Sequence, residues 1–358
     1  MQRRMKKINN IIRNTAIIGA VIACSNVFAG NEDRVGSAGA SQLLANPWAR
    51  STGFGDAGTA NVNGLEATFT NIAGLAFTDK TQLKFNYTNW LGNSGIRFTS
   101  AGIAQRVSES SVIAVSVQAM NFGDIVVTTE DIPEGGIGVF TPTVNIFNVG
   151  YARTFSSSIS GGINFKVISE KIPRLSSSGV AIDAGIRYVT GEQDHIKFGI
   201  TLKNVGPTMR YKGDGLATQV SYISTGGKAT LEQRSQAYEM PSLMSIGGSY
   251  DFIFTEQSKL TAMLSFTANS FSNDQYRLGL DYAMTTDKAA FDIRAGYIYE
   301  KNLFNAAERT NALTGFTAGF SVDALVGKNK TALGIEYAMR VAGPFGLIHT
   351  IGTTISLK

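Results

Sequence analysis

The chain has very few of the side chains on which most enzymes depend. Its 358 residues include one cysteine and two histidines. Disulfide frameworks and cysteine-based metal sites need several cysteines, so both are excluded. Neither histidine, His195 or His349, has a convincing catalytic partner, and no G-x-S-x-G sequence indicates a serine nucleophile. We therefore predict a protein that is not an enzyme and that binds no cofactor or metal.

Charged residues and long apolar runs are also scarce. Charged residues make up 16% of the chain, against roughly 25% in typical soluble domains. No stretch reaches the roughly 18 apolar residues of a transmembrane helix. Hydrophobic residues nevertheless make up 43% of the chain. Their side chains need either a large buried core or a membrane that contacts them strand by strand.

The first 29 residues are typical of a secretory signal peptide. A basic stretch without acids, MQRRMKKINNIIRN, precedes the short apolar run TAIIGAVIA, and Val27-Phe28-Ala29 forms a small-residue cleavage site. An alternative interpretation takes Val21–Cys24 as a lipoprotein signal with Cys24 lipidated. Both place the mature protein outside the cytoplasm.

The positive charge of the chain comes from this leader. The whole sequence has 32 basic and 27 acidic residues, and five of the basic residues precede Gly30. The remainder is therefore neutral, and the sequence gives no evidence for nucleic-acid binding.

From Thr81 onward, apolar and polar side chains alternate in segments of about ten residues. In HIKFGITLK, for example, Ile196, Phe198 and Ile200 alternate with polar residues. This period of two predicts β-strands, and ten residues is about the length of a tilted membrane-spanning strand. Fourteen such segments follow one another: 81–90, 97–107, 111–121, 143–153, 157–167, 179–190, 194–203, 243–252, 259–267, 275–284, 289–299, 314–324, 330–340 and 347–357.

The connections between these segments alternate in length. Every second connection is short, whereas the others, among them 122–142, 168–178 and 204–242, tend to be longer. Short turns at one rim and long loops at the other are typical of outer-membrane barrels. Because lipid offers no partner to an open strand edge, the sheet must close. We predict an all-β fold: a transmembrane antiparallel β-barrel of fourteen strands over residues 81–358, embedded in outer-membrane lipid.

Charged residues of the segments fall on the polar parity, so we expect them to line the lumen. Asp281 and Asp292 are expected to be counter-charges for Arg277 and Arg294 across neighbouring strands. Aromatic residues near segment ends, such as Trp90, suit interfacial girdles. The predicted lumen charges are Lys166, Asp183, Arg187, Lys197, Arg277, Asp281, Asp292 and Arg294.

Residues 30–80 precede the barrel and show no clean period, which leaves a lumen plug, a periplasmic arm, or both as interpretations. GFGDAG (residues 53–58) fits the G-x-G-x-x-G pattern of a nucleotide-binding turn, but Pro47 interrupts the preceding strand and TANVNG disfavours a following helix. The glycines instead suit a segment that enters a crowded lumen, where small residues let backbones approach closely. In such a plug, Arg50 and Asp56 are expected to pair with lumen charges.

The same region resembles the opening of the PorV/PorQ family within the FadL-like barrels. Three features carry the resemblance: Ala49-Arg50, the glycine turn 53–58, and Asn71-Ile72-Ala73-Gly74-Leu75-Ala76, where Ile72 replaces the usual proline. Residues 202–211 also resemble the family's Asn-x-Gly-Pro segment. The Gly-Asp-Ala-Gly sequence of the glycine turn is more similar to PorV than to PorQ. The resemblance implies a lumen hatch over residues 30–80, with these candidate residues: Arg50, Gly53, Gly55, Asp56, Gly58, Asn71, Gly74 and Leu75.

The resemblance also implies a role in type IX protein secretion. The implied partners are the secretion translocon, the C-terminal signal domains of its cargo, and a surface attachment complex that receives the cargo. Long loops would face the cell exterior, with both termini in the periplasm. An alternative is passive uptake of hydrophobic small molecules, as in the wider FadL-like group.

The candidates for partner binding are the long loops 122–142 and 204–242, of which 122–142 is very apolar for an exposed segment. The other interpretation is a loop that folds over the barrel mouth and packs on itself. The candidate contact residues are Ile125, Val127, Ile132, Ile137 and Phe140.

Overall fold

The fold is a closed barrel of fourteen antiparallel strands, as predicted. The computed structural model describes residues 30, 32–221, 227–305, 308–327 and 330–358, so the predicted signal peptide and Cys24 lie outside the described residues. The barrel strands are β1 (Thr81–Trp90), β2 (Ile96–Arg106), β3 (Ser111–Asn121), β4 (Thr143–Thr154), β5 (Ile159–Ile172), β6 (Leu175–Thr190), β7 (Ile196–Val205), β8 (Leu243–Thr255), β9 (Ser258–Asn269), β10 (Gln275–Thr285), β11 (Ala289–Glu300), β12 (Gly315–Val326), β13 (Thr331–Val341) and β14 (Leu347–Leu357).

Pairing of the first strand with the last closes the sheet. The register of β1 with β14 runs from Thr81 opposite Leu357 to Asn89 opposite His349. Each spanning strand therefore has a neighbour on both sides, which satisfies its backbone hydrogen bonds in lipid. No helix among the described residues is long and apolar enough to cross a membrane.

The alternation seen in the sequence separates an apolar outer face from a polar interior. On β7, Phe198 and Ile200 are exposed on the outside, whereas Lys197 and Thr201 are buried inside. Charges on the lipid face would be destabilising, so the period of two sorts them inward.

Near the long loops, the interior is apolar instead. Trp90 at the end of β1 points inward, is 9% exposed and packs edge-to-face on Phe98. Its assignment to a lipid-facing girdle is therefore wrong. The parity of the strand places Trp90 beside the inward Thr88 rather than the outward Tyr87. A cluster of buried apolar residues surrounds it: Met120, Ile146, Ile168, Met209, Met240 and Ile348.

One predicted loop is in fact strand. Residues 168–178 form the top of a long hairpin, in which β5 ends at Ile172 and β6 begins at Leu175. Arg174 in the turn has a φ of 64°. Residues 176–178 are all serine, so this part of the strand shows no alternation of apolar and polar side chains.

Two long loops contain hairpins that the alternation did not predict. Ile125–Val126 pairs with Val139–Phe140, and Ala217–Ser221 pairs with Lys228–Glu232. A short 3-10 helix, Asp214–Leu216, directly precedes the second hairpin, and two others occur in other loops, at Gly92–Ser94 and Gly343–Phe345.

Residues 40–76, called the lumen segment below, are almost entirely buried inside the barrel. The segment contains one turn of α-helix, Ala49–Gly53, and short 3-10 helices. The α-helix contacts β11–β14, Gly58–Ala60 contacts β7–β9, and Ile72–Phe77 contacts β3–β6, so the segment meets the wall around the barrel. The 3-10 helices of the N-terminal region are Glu32–Arg34, Ser41–Leu44, Gly58–Ala60, Gly64–Thr68 and Ile72–Phe77.

Candidate functional site: the lumen segment and the long-loop rim

Arg50 ties the lumen segment to three neighbouring strands. Its Nε lies 2.7 Å from Oε1 of Glu336 on β13, and its Nη2 lies 2.7 Å from Oδ2 of Asp323 on β12. Asp292 on β11 lies 3.9 Å from Nη1. Burial alone would lower the pKa of Arg50, but these carboxylates outweigh it and raise the pKa well above the ordinary value. The guanidinium is therefore a permanent cation within a carboxylate cluster.

A second buried cation continues this network. Lys84 on β1 forms a salt bridge with Glu66 of the lumen segment, and its Nζ lies 3.0 Å from Oε2 of Glu336. The other oxygen of Glu66 accepts a hydrogen bond of 2.7 Å from the backbone N–H of Ser51. Glu336 thus bridges Arg50 and Lys84, which fixes two parts of the lumen segment to the wall.

The glycine turn allows the segment to approach the wall closely. Gly55 and Asp56 both have positive φ, 68° and 56°. A Cβ added to Gly53 would lie 3.3 Å from Cα of Gly319, and one added to Gly296 would lie 2.3 Å from the carbonyl carbon of Phe54. Backbone therefore packs on backbone at this point. The glycine turn therefore allows the backbone of the lumen segment to contact the barrel wall.

Asp56 is the second anchor of this turn. Its carboxylate accepts hydrogen bonds from Arg340 of β13 and from the Asn46 side chain. Gly58 packs against the Phe54 ring, so that an added Cβ would lie 2.8 Å from a ring carbon. The turn is therefore held by charge on one side and by close packing on the other.

The Asn71–Leu75 stretch is held by hydrogen bonds and by packing. The Asn71 side chain caps the helix that begins at Ile72 and donates to the carbonyl oxygens of Thr59 and Ile186. Gly74 packs on the carbonyl oxygen of Val62, and Leu75 is fully buried. Movement of this segment as a hatch stays a prediction.

The predicted lumen charges form several separate pairs. Lys166 and Asp183 lie 2.6 Å apart, and Lys197 pairs with Asp251. Arg187 donates to Val62 O and Asn63 Oδ1 of the lumen segment. Within the described part of the chain, no group of three or more His, Cys, Asp or Glu side chains is placed to hold a metal.

The expected counter-charge for Arg277 is wrong. Arg294 binds both acids, with Nε 3.2 Å from Asp281 and Nη2 2.9 Å from Asp292. Arg277 donates instead to Gln275 on its own strand. The register explains the choice, because Asp281 lies directly opposite Arg294 and four residues along the strand from Arg277.

Several network residues were not singled out from the sequence. The alternation of apolar and polar residues could have identified the three that lie on strands, because each occupies an inward-facing position. Glu66 gave no signal because the lumen segment has no period. The missed residues are Glu66, Lys84, Asp323 and Arg340.

The lumen segment lies between two cavities. The cavity on the short-turn side has a volume of about 480 Å³ and is lined by charged side chains that include Arg50, Lys84, Arg187 and Arg294. The cavity on the long-loop side has a volume of about 530 Å³. Its upper lining is apolar: Trp90, Leu91, Ile96, Met120, Phe122, Leu313 and Phe345.

The long-loop rim presents apolar side chains to solvent. Ile125, Ile132 and Ile137 are 43%, 44% and 51% exposed, while Val127 and Phe140 are half-buried. Residues 122–142 contain four acidic residues and no basic residue. Most side chains of this loop are therefore exposed, although its two short strands pair with each other.

The loop over residues 206–242 is fixed to the wall and to the lumen segment at one buried carboxylate. Glu170 on β5 accepts hydrogen bonds from Tyr211 (2.6 Å), Tyr238 (2.9 Å) and Gln42 (2.6 Å). Burial, together with the Glu170 carboxylate, raises the pKa of Tyr238 to about 12, so its hydroxyl stays a donor at neutral pH.

Comparison with known proteins points to one family and one fold. The family model described as "Type IX secretion system protein PorV" matches residues 28–274. No curated protein matches the sequence.

Three similar solved structures show the fold alone, because their sequence identities are low. The CymD monoaromatic hydrocarbon channel is 14% identical, with a TM-score of 0.51, covering 86% of this chain and 95% of that one. A Pseudomonas aeruginosa FadL homologue is 12% identical, with a TM-score of 0.50 and coverages of 86% and 96%. The Pseudomonas putida toluene transporter TodX is 10% identical, with a TM-score of 0.52 and coverages of 83% and 94%.

Proposed function

The chain belongs to the PorV family of type IX secretion system proteins, and on this premise we propose that its barrel binds secretion partners at the long-loop rim. The match of the family model to residues 28–274 confirms, at the level of the family, the resemblance noted in residues 30–80. The partners are the type IX translocon, the C-terminal signal domains of cargo, and the surface attachment complex that receives the cargo. In this arrangement, the long loops face the cell exterior and the C-terminal end of β14 faces the periplasm. The prediction that both termini face the periplasm is wrong for the first described residues, because Arg34 pairs with Glu239 and packs on Phe271 at the long-loop rim.

The observation that carries this proposal is the apolar, acidic hairpin of residues 122–142. Its isoleucines Ile125, Ile132 and Ile137 are exposed. The barrel is unsuited to conducting a protein itself, because the lumen segment contacts the wall around its circumference. A binding platform that works beside a separate translocon fits both features.

A second candidate function is passive uptake of hydrophobic small molecules. The cavity of about 530 Å³ beneath the long loops, with its apolar upper lining, favours it. Against it stands the same lumen segment, which separates this cavity from the charged one below. Uptake would require the hatch movement that Arg50 and Asp56 oppose through their ion pairs.

Gene deletion followed by proteomics of the cell surface and the medium distinguishes the two functions. If the proposal is right, proteins with type IX C-terminal domains are lost from the surface of the deletion strain. Uptake of a hydrophobic compound is measured in the same cells. If the deletion strain displays these proteins normally but takes up less of the hydrophobic compound, the secretion role is wrong and transport is the function.

A further inference from the structure

Three cations and one carboxylate lie together beside the charged cavity on the short-turn side. Arg187 on β6, Lys197 on β7 and Lys259 on β9, called the basic cluster below, all line this cavity. Each interacts electrostatically with Asp251 on β8. Asp251 pairs with Lys197, and one of its oxygens lies 3.7 Å from Nζ of Lys259. One carboxylate among three cations leaves an excess of two positive charges.

Arg187 is the least compensated member of the basic cluster. No salt bridge joins it to a carboxylate among the described residues, and only 3% of the residue is exposed. Its Nη1 donates to the backbone oxygen of Val62 (3.2 Å) and to Oδ1 of Asn63 (2.6 Å), whereas its Nε has no hydrogen-bond partner there. Its Cζ lies 4.1 Å from the centroid of the Phe77 ring. Neutral acceptors and an aromatic face offset only part of the cost of burying this charge.

The other charges of the same cavity are matched. Lys84 pairs with Glu66, and Arg294 binds the two aspartates of β10 and β11. Arg50 is bound by the carboxylates of β12 and β13. The remaining acid of the lining, Asp79, is exposed to solvent. The unmatched positive charge of this cavity therefore belongs to the basic cluster.

The cavity can admit a small polar solute. Its volume is about 480 Å³, within the range of pockets that hold small ligands. The side chain of Lys259 is 48% exposed and Phe77 is 38% exposed, so solvent reaches both. The side-chain amides of Asn61 and Asn63 add hydrogen-bonding groups to the lining. A neutral ligand would leave the charge of the basic cluster unmatched, so an anion suits the cavity best.

We propose that this cavity binds a doubly charged oxyanion, either phosphate or a phosphate monoester, with its oxygens at Arg187 and Lys259. Guanidinium and ammonium groups donate short, charge-assisted hydrogen bonds to phosphate oxygens. A phosphate group carries a charge of about −1.5 to −2 at pH 7, which matches the excess of the basic cluster. The site goes beyond the secretion role and does not depend on it.

Calorimetry on the full barrel in nanodiscs of zwitterionic lipid tests the proposal, with empty nanodiscs subtracted. Inorganic phosphate, glycerol 3-phosphate and acetate are titrated at neutral pH and constant ionic strength in a buffer free of phosphate. We expect at least one of the two phosphates to bind about tenfold or more tightly than acetate, because its second charge adds charge-assisted hydrogen bonds. The tighter of the two phosphates identifies the free ion or the monoester as the ligand.

Substitutions in the basic cluster locate the site. Arg187→Gln should lower the affinity for phosphate about tenfold, whereas Arg187→Lys should retain part of it. Lys259→Gln should lower the affinity several-fold. Lys288→Gln is the matched control, because it removes one positive charge from an exposed residue of a short turn, outside the cavity lining. Mobility of unheated samples on gels confirms that each barrel is folded.

Three results would overturn the proposal. The first is an affinity of the wild type for both phosphates that is no higher than its affinity for acetate. The second is unchanged phosphate affinity in both Arg187→Gln and Lys259→Gln. The third is an equal loss in Lys288→Gln, which would mean attraction by net charge alone. If Arg187→Gln does not fold, the comparison of Lys259→Gln with Lys288→Gln decides, since both substitutions change side chains that solvent already reaches.

Discussion

The Nε of Arg50 lies 2.7 Å from Oε1 of Glu336, and this ion pair joins the lumen segment to strand β13 of the wall. The Glu336 side chain is fully buried, whereas 27% of the Arg50 side chain is exposed. Lys84 binds the other carboxylate oxygen of Glu336. The position of the lumen segment therefore depends on a charge network that crosses from segment to wall.

We expect Arg50→Gln to lower the free energy of unfolding by about 3–5 kcal/mol, because it removes the cation paired with the largely buried Asp323 and one of the two cations of Glu336. Urea unfolding of the refolded barrel measures the loss. Lys330→Gln is the control, since Lys330 and Asp287 form a pair that is 53% and 95% exposed. Equal stability of the two variants would mean that the network does not hold the segment.

Asp56 makes the stability of the same region dependent on pH. Burial raises the pKa of its carboxyl, but Arg340 and Arg277 outweigh this and lower the pKa below its ordinary value. Because the folded-state pKa is the lower one, the contribution of Asp56 is present above about pH 4 and is lost as the pH falls through the folded-state pKa.

The control for this pH dependence is Asp56→Asn, since asparagine tolerates the positive φ of this residue. Urea unfolding at a series of pH values should show a steeper acid loss in wild type than in the variant. Parallel curves for the two proteins would contradict the assignment.

Gly74→Ala tests how closely the lumen segment is packed. The added Cβ would lie 2.0 Å from the backbone oxygen of Val62, which cannot turn away as a side chain can. Overpacking should lower the free energy of unfolding by about 1–3 kcal/mol. At Gly248 the nearest atom to an added Cβ is 3.6 Å away, so Gly248→Ala should be neutral. A neutral Gly74→Ala would show that the segment is loosely held.

The alternation of side chains was sufficient to predict the barrel. Segments 81–90, 111–121 and 347–357 match β1, β3 and β14 residue for residue. The signal is strong because lipid outside and polar groups inside impose opposite demands on neighbouring residues. It fails where that contrast ends, at the hairpin extension of residues 168–178.

The contacts of the lumen segment were less predictable. Charges on the inward parity could be expected to lie in the lumen, but their partners depend on register, as Arg277 shows. Glu66 and Asn46 belong to a segment without any period, so nothing in the sequence connects them to Lys84 or Asp56. Short 3-10 helices take their positions from the wall that surrounds them.

The exposed hairpin should matter for secretion and not for folding. Ile137→Asp places a charge on a side chain that is already 51% exposed, so barrel stability should not change. Surface display of cargo should fall several-fold in cells that carry this variant, as measured by proteomics. Glu256→Lys in a short turn at the opposite rim is the control. Normal display in Ile137→Asp would remove this residue from the partner surface.

Photo-cross-linking in living cells tests the central claim most directly. A photoreactive residue is placed at position 137 in the long-loop rim and, for comparison, at position 256 in the short-turn rim. We predict covalent adducts with a translocon component or a cargo C-terminal domain from position 137 and none from position 256. Type IX adducts absent from position 137, or formed only from position 256, would contradict partner binding at the long-loop rim.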